Sequence, residues 1–132
     1  MTKVGEFPTH GRTDIIINGN VITIDSLGPW NIEYFHELHQ DILIAVAKVD
    51  FTNYAVLLRP KGEAISVAEA IDYHVAFLKE GNAKAIAVNL SGSDVPNTTK
   101  SLCSKAYRAA NVNFEFFYCD DLAKAWLNEH LT

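Results

Sequence analysis

The junction Gly28-Pro29-Trp30-Asn31 constrains the fold of this chain more than any other segment. It follows an alternating apolar run, residues 21–27, and precedes a long amphipathic segment that begins at Ile32. Glycine permits backbone angles that other residues avoid and proline fixes φ, so the chain can turn sharply here. Asn31 is a favoured N-cap, and Glu33 suits the positive end of a helix. The junction therefore predicts a strand running into a helix, as in an open α/β sandwich.

The composition predicts one folded domain that does not bind polyanions. The chain has 132 residues, of which 48% are hydrophobic and 20% charged, enough to form a core without metal or disulfides. Its net charge of −5 argues against general affinity for nucleic acid or anionic membrane, which needs clustered Lys and Arg. We expect residues 1–12 to be a partly ordered lead-in and residues 13–132 to form the domain.

The amino terminus and the cysteines favour a cytoplasmic protein. The first residues lack the apolar core of a secretory signal, and no apolar run approaches the ~20 residues of a membrane-spanning helix. Cys103 and Cys119 are few and far apart, which favours two reduced thiols. A disulfide between them is the alternative.

Five apolar runs predict β-strands. Asn18-Gly19-Asn20 separates the first two, and Asn-Gly is a strong hairpin signal because both residues accept positive φ. The third run is apolar on both faces, which is typical of a buried parallel strand, and Arg59-Pro60 is expected to end it. The predicted strands cover residues 14–17, 21–24, 54–58, 83–90 and 114–118.

Four amphipathic segments predict helices, over residues 32–49, from Ser66 to Gly81, over residues 98–110, and from a cap at Asp120 to the end. Ser66 and Glu69 have the spacing of a capping box. The residues expected to face inward in the last helix are Leu122, Ala125, Trp126 and Leu131. The order ββαβαβαβα predicts a single-domain open α/β fold, with a mixed, mostly parallel five-stranded sheet and four helices over its faces.

The strand hairpin that runs into Gly28-Pro29-Trp30-Asn31, the segment Phe114-Glu115-Phe116-Phe117 and the run Ala125-Trp126-Leu127 resemble the SpoIIAA-like proteins. These are small bacterial members of the STAS superfamily, related in fold to anti-sigma-factor antagonists and compared with lipid-binding CRAL-TRIO domains. The resemblance spans about residues 13–131. It implies a non-catalytic regulatory or adaptor module that binds a partner protein. The alternative it implies is CRAL-TRIO-like binding of a hydrophobic or lipid-like ligand.

One segment departs from the pattern of signalling STAS domains. Those domains carry Asp-Ser-(Ser/Thr)-Gly after the third strand, and a partner kinase phosphorylates its hydroxyl. Residues 59–66 here lack both the acidic residue and the hydroxyl-Gly pair, and Ser66 is the nearest hydroxyl. Ser66 is therefore a candidate phosphosite, and a plain N-cap is the alternative interpretation.

The loops after the strands form the predicted ligand or partner rim. Ligands of open α/β sheets bind beyond the carboxyl ends of the strands, and this mixture of side chains could hold a small anion or a polar headgroup. A solvated loop rim is the alternative. The rim residues are Trp30, Arg59, Lys61, Ser66, Ser91, Ser93, Asp94, Tyr118 and Asp120.

No pattern in the sequence predicts catalysis, a cofactor or a metal site. Ser91-Gly92-Ser93 has too few glycines for a phosphate-binding loop, and no nucleophile elbow is present. His36 and His39 lie three apart, but spacing specifies no further ligands, so we expect surface or boundary histidines. His74 is expected in the core, hydrogen-bonded to a neighbour.

An open sheet edge also suggests self-association. Either the hairpin edge or the final helix could pair two copies of the chain. The partners predicted from sequence are thus an unknown protein, a hydrophobic small molecule, or a second copy in a homodimer.

Overall fold

The computed structural model describes residues 8–132. Its elements alternate as the sequence predicts, and a short 3-10 turn, Leu90–Gly92, follows the fourth strand. The elements are β1 (Arg12–Asn18), β2 (Val21–Leu27), α1 (Ile32–Val46), β3 (Ala55–Lys61), α2 (Ala68–Lys79), β4 (Ile86–Asn89), α3 (Pro96–Ala109), β5 (Phe114–Phe117) and α4 (Asp120–His130). Among the helices described, none is long and apolar enough to cross a membrane.

The five strands form one sheet in the order β1-β2-β3-β4-β5. The β1–β2 pair is antiparallel and closes through Asn18 opposite Val21, with Gly19 at φ +61° in the turn. The other three pairs are parallel. The predicted mixed sheet, the hairpin and the fold class are therefore confirmed.

Three helices cover one face of the sheet and α4 covers the other. Strand order advances in one direction, so right-handed crossovers place α1, α2 and α3 on the same side. That side holds the larger core, whose buried residues include Ile22, Phe35 and Val88. The smaller core under α4 is mostly alanine, which lets the helix approach the strands closely; its buried residues are Ala55, Leu57, Ala85, Ala87, Ala123 and Leu127.

Strand β3 continues further than the sequence predicts. Arg59-Pro60 does not end it, since pairing with β2 runs on to Leu27 opposite Lys61. The Lys61 carbonyl accepts from the Gly28 N–H at 3.0 Å, on the β2 side of the strand. Backbone groups of successive strand residues alternate in direction, so those of Pro60 point towards β4. Pairing between β3 and β4 has already ended at Leu58. The missing proline N–H therefore costs the sheet no hydrogen bond.

Two predicted helix starts are wrong. Helix α2 begins at Ala68 with Val67 as the N-cap, and no side chain caps it, so the Ser66–Glu69 capping box does not form. The Ser66 hydroxyl donates instead to the Trp30 carbonyl at 2.8 Å. Helix α4 begins at Asp120 itself, with Cys119 as its N-cap.

The inward face of α4 also differs from the prediction. Ala123 and Leu127 are fully buried, whereas Leu122 is 63% exposed and Ala125 is also exposed. Trp126 and Leu131 pack at the margin of the small core. Ala123 and Leu127 therefore form the inward face of α4, against the alanine-rich side of the sheet.

The β2–α1 junction packs backbone against backbone. A Cβ atom added to Gly28 would lie 2.2 Å from the Glu63 carbonyl oxygen. The Gly28-Pro29 peptide bond is cis, and Asn31 caps α1 by accepting from the Tyr34 N–H at 2.9 Å. The predicted N-cap is confirmed, and glycine is required at position 28 by the close approach of the β3–α2 loop.

Candidate functional site

A cavity of about 480 Å³ lies between the sheet and helices α1, α2 and α3. Close-packed protein interiors leave few voids larger than one water molecule, whereas small-molecule sites occupy ~300–1,000 Å³. The cavity extends from Ser26 and Trp30, near the carboxyl ends of the strands, to Lys84 and Asn113 at their amino ends. Its volume therefore falls within the range of small-molecule sites.

The walls of the cavity are mostly apolar. Small side chains on α3, namely Cys103, Ala106 and Ala110, leave space that larger residues would fill. Burial raises the pKa of the Cys103 thiol to about 12, so this sulfur is an inert wall group. The remaining aliphatic and aromatic wall residues include Ile24, Phe35, Leu38, Ile42, Val56, Leu58, Ile71, Phe77 and Leu102.

The cavity opens at the amino end of the sheet, beside the α2–β4 loop. Lys79, Gly81, Asn82 and Lys84 all line it and are exposed to solvent. The Asn82 side chain donates to the Phe51 carbonyl at 2.7 Å and ties this loop to the segment before β3. Of the predicted rim residues, Trp30 lines this cavity, but the opening lies at the edge of the sheet opposite the predicted rim.

Two histidines join α1 and α2, and one of them, His74, lines the cavity. His39 Nε2 and His74 Nδ1 lie 2.8 Å apart, and Phe77 stacks on His39 with ring centroids 3.9 Å apart. Burial lowers the pKa of His39 to about 4 and that of His74 to about 3, so both rings are neutral at neutral pH. The predicted hydrogen bond between His74 and a neighbour is confirmed, although the ring is only partly buried, whereas the boundary position expected for His39 is wrong.

His36 lies apart from this pair. Its Nδ1 atom lies 3.1 Å from the Tyr73 hydroxyl and its Nε2 atom 3.2 Å from Gln40 Nε2. Within residues 8–132, no group of three or more His, Cys, Asp or Glu side chains is arranged to hold a metal ion. The cysteines do not pair with each other either; Cys103 is buried and Cys119 exposed.

Trp30 is buried near the carboxyl end of the cavity. It lines the cavity, keeps 7% of its surface exposed, and its indole N–H has no hydrogen-bond partner among the described residues. Such unpaired buried donors are uncommon in folded proteins. Trp30 also forms a β-bridge with Ser66, so these two rim residues hold the β2–α1 and β3–α2 junctions together.

The predicted rim residues do not converge on one point. Arg59 makes two hydrogen bonds to Asp25, at 2.6 and 3.1 Å, and one to Asp120 at 2.9 Å. Asn89 donates to Asp120 at 2.8 Å, and Lys61 lies 3.6 Å from Asp25. The Asn89 hydrogen bond, followed by Arg59, lowers the pKa of Asp120. This network anchors the start of α4 to β2, β3 and β4.

The other rim residues organise loops. Ser93 shares a hydrogen bond with Thr99 at 2.8 Å, and the Ser91 N–H donates to the Asn89 side chain at 3.0 Å. Asp94 is exposed. Asp25 and Asn89 belong to this network but were not among the predicted rim residues. The acid within the alternating apolar run of β2 was a usable signal for Asp25, which lies in register with Arg59.

Exposed apolar side chains accompany this polar rim. Those at the carboxyl end of the fold are Leu27, Val67, Tyr118 and Leu122, with exposures of 39%, 68%, 60% and 63%. Leu27 ends β2, Val67 follows β3, and Tyr118 and Leu122 follow β5. Strands β2 and β5 are three spacings apart in the sheet, which is roughly 14 Å at ~4.8 Å per spacing. We call these four residues the carboxyl-end surface.

Comparisons with solved structures show the fold. An uncharacterised protein of the DUF3478 family with a SpoIIAA-like fold, from Shewanella loihica PV-4, is 17% identical at a TM-score of 0.61, with 95% of this chain and 99% of that one covered. An anti-sigma factor antagonist from Mycobacterium paratuberculosis is 13% identical at a TM-score of 0.55, with 92% and 97% covered. No protein-family model and no curated protein matches the sequence. The SpoIIAA-like fold that the sequence resemblance implies is confirmed.

Proposed function

We propose that this chain is a cytoplasmic, non-catalytic regulatory module that binds a partner protein through the carboxyl-end surface. The observation that supports the proposal is the exposure of four large apolar side chains at the end of the fold that also carries the Arg59 network. Exposed apolar groups rimmed by charges are typical of interaction surfaces. A solved neighbour of the same fold is an anti-sigma factor antagonist, which agrees with a regulatory role.

Rigidity favours recognition at this surface. Tyr118 and Leu122 flank the start of α4, and the contacts of Arg59 with Asp25 and Asp120 hold that start against the sheet. Binding of a partner to these two side chains would therefore not be opposed by the entropy lost when a mobile segment becomes ordered. Lys61, which is 47% exposed at its side chain, adds a cation at the edge of the surface.

Ser66 is the proposed point of regulation at this surface. It precedes exposed Val67 and lies two residues before Ala68, the first residue of α2. Phosphorylation would remove the hydrogen bond that the hydroxyl donates to the Trp30 carbonyl and would place a dianion near the positive end of the helix. Phosphopeptide mass spectrometry of protein isolated from its native cells tests this, and an unmodified Ser66 under all growth conditions would contradict it.

Site-specific cross-linking tests the partner surface. A photoreactive amino acid at Val67 should capture a partner, and L122D should abolish that capture because a carboxylate is desolvated poorly in an apolar contact. Leu43 is 60% exposed at the far end of α1, so L43D is the matched control and should leave capture unchanged. Equal loss in both variants, or no capture at Val67, would contradict the proposal.

Homodimerisation is the companion proposal. β1 is a seven-residue edge strand that carries Ile16 at 59% exposure, and an open edge invites pairing. Sedimentation equilibrium should show a dimer that I16K weakens. A monomer at all concentrations would exclude the edge contact without affecting the test of the carboxyl-end surface.

A second candidate function is binding of a hydrophobic small molecule, and the cavity of about 480 Å³ is the observation that favours it. The apolar walls described above would exclude water and accept an apolar ligand. Native mass spectrometry of protein purified from a heterologous host should show a bound mass that disappears on denaturation. A bare chain after purification and after incubation with aliphatic amphiphiles would contradict this function.

A further inference from the structure

We propose that the cavity takes a single-chain amphiphile whose anionic head group lies at the mouth, between Lys79 and Lys84, and whose apolar chain extends towards Trp30. This inference rests on the second candidate function and specifies the chemical class of the ligand and its orientation.

The dimensions of the cavity favour one unbranched chain. Its lining reaches from Ser26, which lies opposite Pro60, to Lys84, whose N–H donates to the Tyr54 carbonyl at 2.9 Å. Six strand residues at ~3.3 Å each give a length of roughly 20 Å. The cavity volume of about 480 Å³ divided by this length gives a mean cross-section of roughly 24 Å². A hydrocarbon chain is ~4 Å wide, the closest approach of non-bonded carbons, so this cross-section admits one chain.

The interior favours an uncharged chain. The described residues that line the cavity include no Asp or Glu, and its histidine, His74, is held by His39 in a neutral pair. Phe35 stacks on His74 with centroids 4.7 Å apart, which further separates the ring from solvent. A charged head group inside these walls would be desolvated without a counter-ion, so the head group belongs outside them.

The mouth favours an anion. Lys79 and Lys84 are the two charged residues that line the cavity, and among the described residues neither makes an ion pair within 4.0 Å. Asp50 and Glu80 lie near these lysines but do not line the cavity. In a chain of net charge −5, an opening lined by two cations is complementary to a carboxylate or a phosphate.

Amides complete the mouth. Asn82 and Asn113 line the cavity on the α2–β4 and α3–β5 loops. The Asn82 side chain is held by Phe51, and Asn113 Nδ2 lies 3.3 Å from His130 Nδ1. Amide N–H groups donate to anionic oxygens, so these positions orient a head group that the lysines attract.

Isothermal titration with four probes of equal chain length tests the proposal. Dodecanoate and dodecyl phosphate carry an anionic head, dodecanol a neutral one and dodecyltrimethylammonium a cationic one; all are used below their aggregation limits. The two anions should bind most tightly and the cation least. The order of dodecanoate and dodecyl phosphate then distinguishes a fatty-acid head from a phosphate head.

Two variants locate the head group and the chain. K79A/K84A should weaken dodecanoate binding roughly fivefold, as expected for two exposed ion pairs, and should leave dodecanol unchanged. K105A/K124A removes two exposed lysines elsewhere and is the matched control. A106L should weaken every probe, because Ala106 lines the cavity wall.

The outcomes separate this inference from the function on which it rests. If dodecanol binds as tightly as dodecanoate and K79A/K84A has no effect, the anionic head group is wrong while a hydrophobic ligand stands. If no probe binds, or if A106L binds all of them like the parent chain, the cavity is not the site and both proposals fail. Circular dichroism of each variant confirms that loss of binding is not loss of folding.

Discussion

His39 on α1 and His74 on α2 share a hydrogen bond of 2.8 Å at the wall of the cavity. A neutral imidazole has one donor and one acceptor, so the two rings satisfy each other only while at least one is unprotonated. His39 is 7% exposed, and His74 is partly exposed where it lines the cavity. The pair therefore ties two helices together in a form that acid disrupts.

The first prediction concerns stability in mild acid. Burial lowers the pKa values of His39 and His74 to about 4 and about 3, so the unfolded chain, with values near 6.5, binds more protons below that pH. The free energy of unfolding should be unaffected by this pair above about pH 6.5. It should fall by on the order of 2 kcal/mol per histidine at about pH 5. Urea titrations across this window measure the change.

A double variant isolates the pair. H39Q/H74Q keeps two side chains that can hydrogen-bond but do not titrate, so most of the loss between about pH 6.5 and pH 5 should disappear. H10Q, at an exposed position, should leave the pH dependence intact. The lowered pKa of Asp120 affects stability only as pH falls below the ordinary carboxyl value near 3.8. An unchanged slope in H39Q/H74Q would refute the assignment.

The second prediction concerns the Arg59 network. R59M leaves Asp25 and Asp120 partly buried without their main cation, and we expect a loss of about 2–3 kcal/mol in the free energy of unfolding. The exposed Arg12–Asp14 pair, at 3.7 Å, provides the control. R12M should change stability by less than ~0.5 kcal/mol, because exposed ion pairs contribute little. Equal effects of the two variants in urea denaturation would contradict a structural role for Arg59.

The third prediction concerns the β2–α1 junction. In G28A the new methyl group would meet the Glu63 carbonyl at 2.2 Å and the Ala64 Cα at 2.8 Å, both backbone atoms that cannot move independently. We expect a loss of at least about 3 kcal/mol, visible as a lower Tm, or failure to fold. In G81A the nearest atom is 3.4 Å away, so stability should be unchanged or should rise by ~0.4–1 kcal/mol. A G28A protein as stable as G81A would show that the junction can move apart.

The fold could be predicted from the sequence because its signals are local. The alternation in β2, the Asn18-Gly19 turn and the cap at Asn31 each specify structure within a few residues. Predictions from local sequence were wrong where a contact between residues far apart in the sequence determines the structure. Ser66 bonds across the fold to Trp30 and does not cap α2, and Pro60 is tolerated in β3 because the pairing with β4 has already ended.

The candidate site was harder to predict, because the cavity is defined by what is missing. Cys103, Ala106 and Ala110 follow an ordinary helical pattern, and only the positions of α1 and α2 show that nothing fills the space opposite them. Arg59 and Asp120 were predicted as rim residues because ligands of open α/β sheets bind at the carboxyl ends of the strands. In the structure these two side chains pair with each other. Lys79 and Lys84, the two cations at the mouth, belong to no sequence motif, so their place beside the cavity could not be predicted.

The last prediction compares two buried alanines on opposite faces of the sheet. Ala106 borders the cavity and is 4% exposed, whereas Ala87 is fully buried against α4. A106L should raise the free energy of unfolding by about 1 kcal/mol, since the added methyl groups occupy empty space and gain contacts. A87L adds the same atoms to a packed interface and should cost about 1–3 kcal/mol.

Urea denaturation of the two variants measures both values in one experiment. A higher free energy of unfolding for A106L and a lower one for A87L would show that the space beside α3 is empty in the folded protein. They would also show that a leucine at position 106 makes the chain more stable than the alanine it has. Two destabilised variants would mean that α1–α3 close on the sheet in solution and leave no cavity.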